Sequence, residues 1–600
     1  MQIDLTTPAG TIFALLPEVV LSVAALAVLL VVSWRHQGAR DSRLAGWLSL
    51  ISLALTGAAL GWVALHSPEE PGLGQMIALD TFRYVGSGLI LLVTTGSVLA
   101  SLGYLEREQL VAPEYYVLTL LAAVGMLFMV NAEDLIVLFL GLETMSVAVY
   151  ILAGYDRGSA FSAEAALKYF LIGAFASGFL LYGIALVYGA AGSSNLSLIG
   201  AQFSQGDLSL MGKLGLGLLF VGFGFKVAAV PFHMWAPDVY DGAPTPVSGF
   251  MATAVKSAAF LAFARVLITG FQSSALQWQP ILLGLAVASM VLGNLVALVQ
   301  KTLKRMLAYS SIAHAGYLLV ALVPGTPLGV SAMTFYLLGY GLTSIAAFAI
   351  VGALGRNGER DLTFADIGGL AQGRPWMAFA LAVCMLSLLG FPGTIGFIGK
   401  WYILAAAVSS GQAALAVIVV VTSLVSAGYY LPVIMAMYMR PLRAPLVFFD
   451  RGLSGTARIA VTIAVVLILG LGVLPSRALD QADQAAASLP QSAQPAVAGR
   501  CARPPDDRTP IGLSPIRCAR SGRGGTHSRV CRRAGARLRN PRLGAPWTRP
   551  RARRRPGQPA LRRHARRIGP HRNRRHGRHG HRRRRGAHTS AVLRRARPGG

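Results

Sequence analysis

Charge is what this chain lacks. Only 13% of its 600 residues are Asp, Glu, Lys or Arg, against 54% hydrophobic. That balance excludes an ordinary soluble domain and a disordered chain and indicates a polytopic membrane protein. Cysteine is almost absent: there are four, none in a CxxC pair. Cys384 lies in an apolar run and Cys501, Cys518 and Cys531 lie near the C-terminus. No zinc, iron–sulfur or disulfide framework is therefore legible. No GxGxxG or GxxxxGK[ST] opens a helix after a strand, so no nucleotide site is readable either. A chain without redox ligands can move charge but is not expected to carry electrons. Lysine is scarce too, with seven in the whole sequence. The net charge of +30 is confined to one end. Residues 1–499 hold 23 Lys and Arg against 23 Asp and Glu, whereas residues 500–600 hold 32 Arg, no Lys and two Asp.

What is abundant is long apolar runs. Fourteen reach membrane-spanning length, at roughly 11–33, 44–65, 82–103, 114–131, 134–154, 163–190, 212–231, 246–270, 279–299, 303–323, 328–354, 376–409, 413–439 and 458–474. The first is too long for a signal-peptide core and has no basic residue before it, so it reads as a retained span. Basic residues favour cytoplasmic loops. With the N-terminus outside, the inside loops carry 15 Lys and Arg, and the outside loops between spans carry only Lys213. The seventh span is interrupted at Pro231 (KVAAVPFHMWAP) and the twelfth around Pro392 (LLGFPGTIGFIGK). Proline removes a helical hydrogen bond, and broken helices persist in a membrane where they line a polar cavity. The two breaks lie five spans apart, and an odd number of spans inverts the second copy. The expected fold is thus an all-α polytopic membrane protein of about fourteen transmembrane helices. It contains two inverted five-helix repeats, spans 4–8 and 9–13, with helices 7 and 12 broken.

Four ionisable residues sit deep inside these runs: Glu143, Lys226, Lys256 and Lys400. A charge at mid-bilayer costs about 2.5–3.5 kcal/mol on insertion scales, and such residues mark ion or proton pathways. Lys226 precedes the Pro231 break and Lys400 follows the Pro392 break, so a carbonyl freed at a break could satisfy either one. All four fit one depth across four helices, which suits a row that passes protons sideways. Two unit charges ~7 Å apart at an effective dielectric near 20 interact by roughly 2.4 kcal/mol, enough for one site to switch the next. Glu143 and Lys226 are expected to form a pair that opens and closes. Lys256 is the expected central carrier and Lys400 the relay onward. Lys168 either snorkels to the interface or takes part in proton uptake. His314 is either a packed core histidine or a link between Lys256 and Lys400. Lys304 and Arg305 read as topology signals, Glu18 as interfacial, and Asp238 and Asp241 as residues that shape the loop after Pro231.

The segments PFHMWAPDVYDGAPTPVSGFMATAVKSAAF (231–260) and QKTLKRMLAYSSIAHAGYLL (300–319) resemble the antiporter-like, proton-pumping subunits of respiratory complex I. These in turn are similar to the large subunits of multisubunit sodium/proton antiporters. The segment GFPGTIGFIGKWYIL (391–405) is most similar to subunit N of bacterial NADH–quinone oxidoreductase. Sister subunit M usually has glutamate where Lys400 stands, and subunit L carries a long lateral helix that is not legible here. The resemblance covers residues 1 to about 485 and implies an antiporter-like transmembrane domain over 1–489. It implies proton-relay roles for Glu143, Lys226, Lys256 and Lys400, with Lys168 a further lysine of less settled importance. It also implies a translocase subunit that binds no cofactor itself. NADH, FMN, iron–sulfur clusters and quinone belong to the whole complex, and neighbouring subunits M and K and membrane lipid are the partners. The expected setting is the bacterial inner membrane. The alternative is a subunit of a cation/proton antiporter. Residues 490–600 depart from the family: their Arg, Pro, Gly, Ala and His content is what a GC-rich gene yields in a wrong frame. They read as a frameshifted or misassigned, disordered end rather than a nucleic-acid arm.

Overall fold

The computed structural model describes residues 8–35, 39–66, 76–110, 113–355, 362–441 and 452–489. The Arg-rich segment 490–600 lies outside the described residues. All fourteen expected spans are helical: α1 (Leu16–Arg35), α2 (Ala39–His66), α3 (Thr81–Arg107), α4 (Glu114–Asn131), α5 (Leu135–Ala153), α6 (Ala160–Ala191), α7a (Leu210–Val227) with α7b (Trp235–Gly242), α8 (Thr245–Gly270), α9 (Ala275–Leu298), α10 (Leu303–Leu322), α11 (Pro327–Leu354), α12a (Pro375–Leu389) with α12b (Ile395–Ser409), α13 (Ala413–Met439) and α14 (Gly455–Val473). A short α15 (Ser476–Ala487) follows. The end of the bundle where α1 begins is termed the near face, and the opposite end the far face.

Both breaks form where the sequence disfavours helix. Between α7a and α7b the chain passes Pro231, and Ala228 takes a positive φ of 58°. Between α12a and α12b, Gly390 and Gly393 both sit at φ 87°, a left-handed backbone that costs glycine little. Each break frees carbonyls that need partners inside the bundle.

The repeat is visible in matched contacts. Just before α5, Asp134 bridges Asn195, and just before α10, Thr302 bridges Thr363. In each unit the first residue of the second helix donates to the residue preceding that bridge: Leu135 N to Ser194 O and Leu303 N to Leu362 O, both 2.9 Å. The helix pairs α4–α5 and α9–α10 also cross on glycine. A Cβ on Gly125 would come well inside 3.0 Å of α5 backbone, and one on Gly293 would do the same to α10 backbone. Small residues allow close approach where lipid supplies no hydrophobic drive between helices.

The outward faces of the helices carry exposed Leu26, Leu30, Phe175, Leu424 and Val466. Arg83 and Arg265, by contrast, are wholly buried. Apolar outside with charge inside is the pattern of a bundle solvated by lipid. Every residue of α8 is buried, so this helix forms the axis of the first unit.

Candidate functional site

The four charges lie on four different helices: the half-buried Glu143 on α5 and three buried lysines, Lys226 in the last turn of α7a, Lys256 midway along α8 and Lys400 on α12b. Lys226, Lys256 and Lys400 are 3%, 1% and 6% exposed, so none reaches water by snorkelling. Each ammonium has polar neighbours.

Lys226 Nζ donates to Ser146 Oγ (2.7 Å) and lies 3.4 Å from Tyr150 OH, both on α5. Among the described residues no ion pair joins it to Glu143. Glu143 Oε1 is buried without a hydrogen-bond partner, one turn along α5 from Ser146. The expected pair is therefore not formed in this conformation.

Lys256 Nζ donates to the Ser311 carbonyl (2.7 Å) and also to Ser311 Oγ, on α10. Aligning Leu135 with Leu303 places Ser311 at the position Glu143 holds in the first unit. The lysine of the first repeat thus reaches into the second repeat, onto a neutral acceptor in place of a carboxylate. Directly before Lys256, residues Met251–Val255 form one π-helical turn. Such turns interrupt the regular hydrogen-bond ladder and cluster at functional positions.

Lys400 Nζ donates to the carbonyls of Leu388 (3.1 Å) and Leu389 (2.9 Å), the end of α12a. Here a carbonyl freed at a break does satisfy the lysine. His314 is buried with both ring nitrogens partnered: Nδ1 is 2.7 Å from Tyr336 OH and Nε2 is 3.0 Å from Tyr430 OH, which also bonds Ser310. Its ring packs on Tyr340 and Tyr317, at 5.1 and 5.5 Å between centroids. Lys256 Nζ lies 5.8 Å from the Tyr340 ring and Lys400 Nζ 4.8 Å from the Tyr317 ring. His314 therefore stands between the two lysines, one aromatic ring from each.

Lys168 is partly exposed and ion-paired to Glu164 and Asp238, each at 2.8 Å. Arg305 joins the same group through Asp238 (3.1 Å) and Asp241 (3.6 Å). These residues line a far-face cavity of about 380 Å³.

Lys304 has a packing role as well: it is 5% exposed and donates to the Ala243 carbonyl at 2.6 Å, pinning the turn after α7b. One expectation is corrected. Glu18 is not interfacial: it is 1% exposed and bonded to Arg83 (3.0 and 3.1 Å) and Asn131 (2.8 Å).

A second charged cluster went unforeseen. Arg265, fully buried at the near end of α8, forms a bidentate pair with Asp80 (2.6 and 2.9 Å) and donates to the Val130 carbonyl (3.1 Å). Glu133, between α4 and α5, approaches Arg265 at 3.6 Å and accepts from Ser197 at 2.6 Å. Burial pushes the Glu133 carboxyl above its ordinary range, against the opposing pull of Arg265. The signal for this cluster was Arg83 and Arg265 themselves, two cations near span ends that the loop-charge pattern leaves otherwise bare. Among the described residues no three His, Cys, Asp or Glu side chains converge to hold a metal.

A family model described as NADH:quinone oxidoreductase/Mrp antiporter, TM, matches residues 132–426, which include every residue of the row. NADH-quinone oxidoreductase subunit N of Trichlorobacter lovleyi is 42% identical over 475 residues, 78% of this chain and 96% of that protein. The subunit N of Gemmatimonas aurantiaca is 43% identical over 510 residues, 82% of this chain and 96% of that protein. Among solved structures, a chain of respiratory complex I from Thermus thermophilus is 38% identical, with a TM-score of 0.65 over 77% of this chain and 98% of that one. A chain of the Mrp complex from Dietzia sp. DQ12-45-1b, 22% identical with a TM-score of 0.69 over 80% of this chain and 98% of that one, shares the fold. The chain belongs to the NADH:quinone oxidoreductase/Mrp antiporter membrane-subunit family, in its NADH–quinone oxidoreductase subunit N branch.

Proposed function

We propose that this chain is a proton-translocating membrane subunit of an NADH:quinone oxidoreductase, driven by electron transfer in partner subunits. The observation that carries the proposal is the row itself: the half-buried Glu143 and the buried Lys226, Lys256 and Lys400, on four helices of a subunit N relative, with His314 between the last two. NADH, FMN, iron–sulfur clusters and quinone act in the whole complex, and no step below passes through them. Subunits M and K are the proposed membrane neighbours. The chain sits in the bacterial inner membrane with the near face outside and the far face toward the cytoplasm.

In the mechanism, the far-face group around Lys168, Asp238 and Asp241 is wet and supplies protons. Lys226 alternates between Ser146, where it is held now, and Glu143. At ~7 Å and an effective dielectric near 20, restoring or removing that charge pair changes the energy of a charged neighbour by roughly 2 kcal/mol. That change drives a proton on to or off Lys256, which Ser311 steadies with two acceptors. Tyr340, His314 and Tyr317 then bridge the interval to Lys400, which the α12 break supplies with two carbonyl acceptors.

The test is Lys256→Ala in the assembled complex, reconstituted in vesicles. The expected result is NADH oxidation that persists with uncoupler while protons moved per NADH fall. Unchanged pumping in a fully assembled complex refutes the mechanism. A cation/proton antiporter subunit is the second reading, supported by the Mrp fold likeness. The higher identity to subunit N favours the first. Cation-for-proton exchange by the isolated membranes without NADH would reverse that choice.

A further inference from the structure

The two ends of α8 differ in kind. At the far face, the cavity lined by Lys168, Asp238, Asp241 and Arg305 brings titratable groups toward the turn pinned by Lys304. At the near face the same helix meets something else. Lys256 and Arg265 are nine residues apart, a rise of about 13.5 Å. The residues between include Phe260, Leu261 and Phe263, none more than 2% exposed. The Phe263 ring packs on Phe223 and Phe220 of α7a at 4.7 and 5.3 Å. Above this apolar band lie two guanidiniums, each wholly buried and each held by its own carboxylate: Arg265 by Asp80, and Arg83 by Glu18. The two pairs are joined, since Asp80 also accepts from the backbone N–H of Arg83 at 2.7 Å. Further acceptors are backbone carbonyls: Val130 for Arg265, and Ala14 (2.7 Å) and Ala78 (3.2 Å) for Arg83.

Arginine does not give up its proton in proteins, so neither guanidinium can relay one as a lysine or histidine can. Each pair is neutral: the Asp80 and Glu18 carboxylates are occupied by their guanidiniums and offer a passing proton no open acceptor, Glu133 stands beside Arg265 at 3.6 Å on the near side, and the apolar band denies protons a water chain. We propose that the Asp80–Arg265 and Glu18–Arg83 pairs form a fixed-charge seal that closes the near end of the Lys256 compartment to protons. It blocks return from the near face while the far face stays open. The inference rests on the row being a proton path, and it concerns residues outside that row.

The experiment uses the complete complex in vesicles loaded with a pH-sensitive dye. A pH gradient is imposed without substrate and its decay is timed. Arg265→Gln breaks the pair and leaves the Asp80 carboxylate open to a proton, and is expected to speed the decay by about tenfold, from the Coulomb attraction of one unpaired unit charge nearby. Arg265→Lys keeps a cation and is expected to stay near the wild-type rate. Combining Arg265→Gln with Lys256→Ala is expected to return the leak to wild type, because the route past the seal ends at Lys256. Should Arg265→Gln fail to assemble, Arg83→Gln is expected to show the same leak. Three outcomes overturn the seal: no faster decay in the assembled glutamine variant, equal leak in the lysine variant, or a leak that survives Lys256→Ala. Normal pumping by Lys256→Ala alone would overturn the row instead, so the two failures are distinguishable.

Discussion

Removing the Glu18 carboxylate should cost this protein more than removing most exposed charges, and the structure says by how much. Arg83 is wholly buried, and its Nη2 binds both oxygens of Glu18 at 3.0 and 3.1 Å. Asn131 Nδ2 donates to the same carboxylate at 2.8 Å. Glu18→Ala therefore strands a guanidinium and an amide together, in a site closed to water. Breaking a buried pair by deleting one partner costs about 3–5 kcal/mol. At about 1.4 kcal/mol per factor of ten, that shifts the folding equilibrium by roughly two to three and a half orders of magnitude. The assay is heat challenge of membranes followed by quantification of intact complex, with amounts normalised before heating. Glu18→Ala should lose the subunit at a markedly lower temperature. Replacing Glu18 and Arg83 together with methionine removes the stranded charge along with its partner, and buried pairs exchanged for apolar residues of similar volume are often neutral. The double variant should therefore recover most of the loss. A Glu18→Ala protein as robust as wild type, or a double variant no better than the single, would refute the reasoning.

Four further outcomes are expected. Ser146→Ala removes the acceptor that holds Lys226, and a structure of the variant should show Nζ within ion-pair distance of Glu143. Tyr430→Phe leaves His314 Nε2 and Ser310 without their shared partner. An orphaned buried polar group costs about 1–3 kcal/mol, so pumping per NADH should fall while uncoupled NADH oxidation stays intact. Gly125→Ala places a methyl against α5 backbone, which cannot rotate away, and should destabilise the subunit by about 1–3 kcal/mol in the same heat challenge. The Glu133 carboxyl, raised by burial, holds its proton more tightly folded than unfolded. Its contribution is therefore most favourable in acid and is lost as pH rises through the folded value. Glu133→Gln is neutral throughout, so wild type should lose thermal stability relative to it as pH rises from acid toward neutral.

The sequence by itself determined the spans, their two breaks and the four central charges. Hydropathy over twenty residues is a local property, proline acts on its own turn, and a lysine with no water within snorkelling reach is conspicuous wherever it lies. The five-helix period was legible for the same reason, and the matched bridges at Asp134 and Thr302 give it physical form. Partners were not legible. Glu18 and Arg83 are 65 residues apart and Asp80 and Arg265 are 185 apart, so nothing local tells a clamped buried charge from one at the membrane surface. Lys304 read as a topology signal for the same reason, since only the packing of α7b shows that its ammonium faces the Ala243 carbonyl. Tertiary structure also decided which acceptor each lysine takes: Ser146, Ser311 or the Leu388 and Leu389 carbonyls. Hydrogen bonds a few ångströms long are fixed by helix rotation and crossing, and helix rotation is set by contacts between residues far apart in the chain.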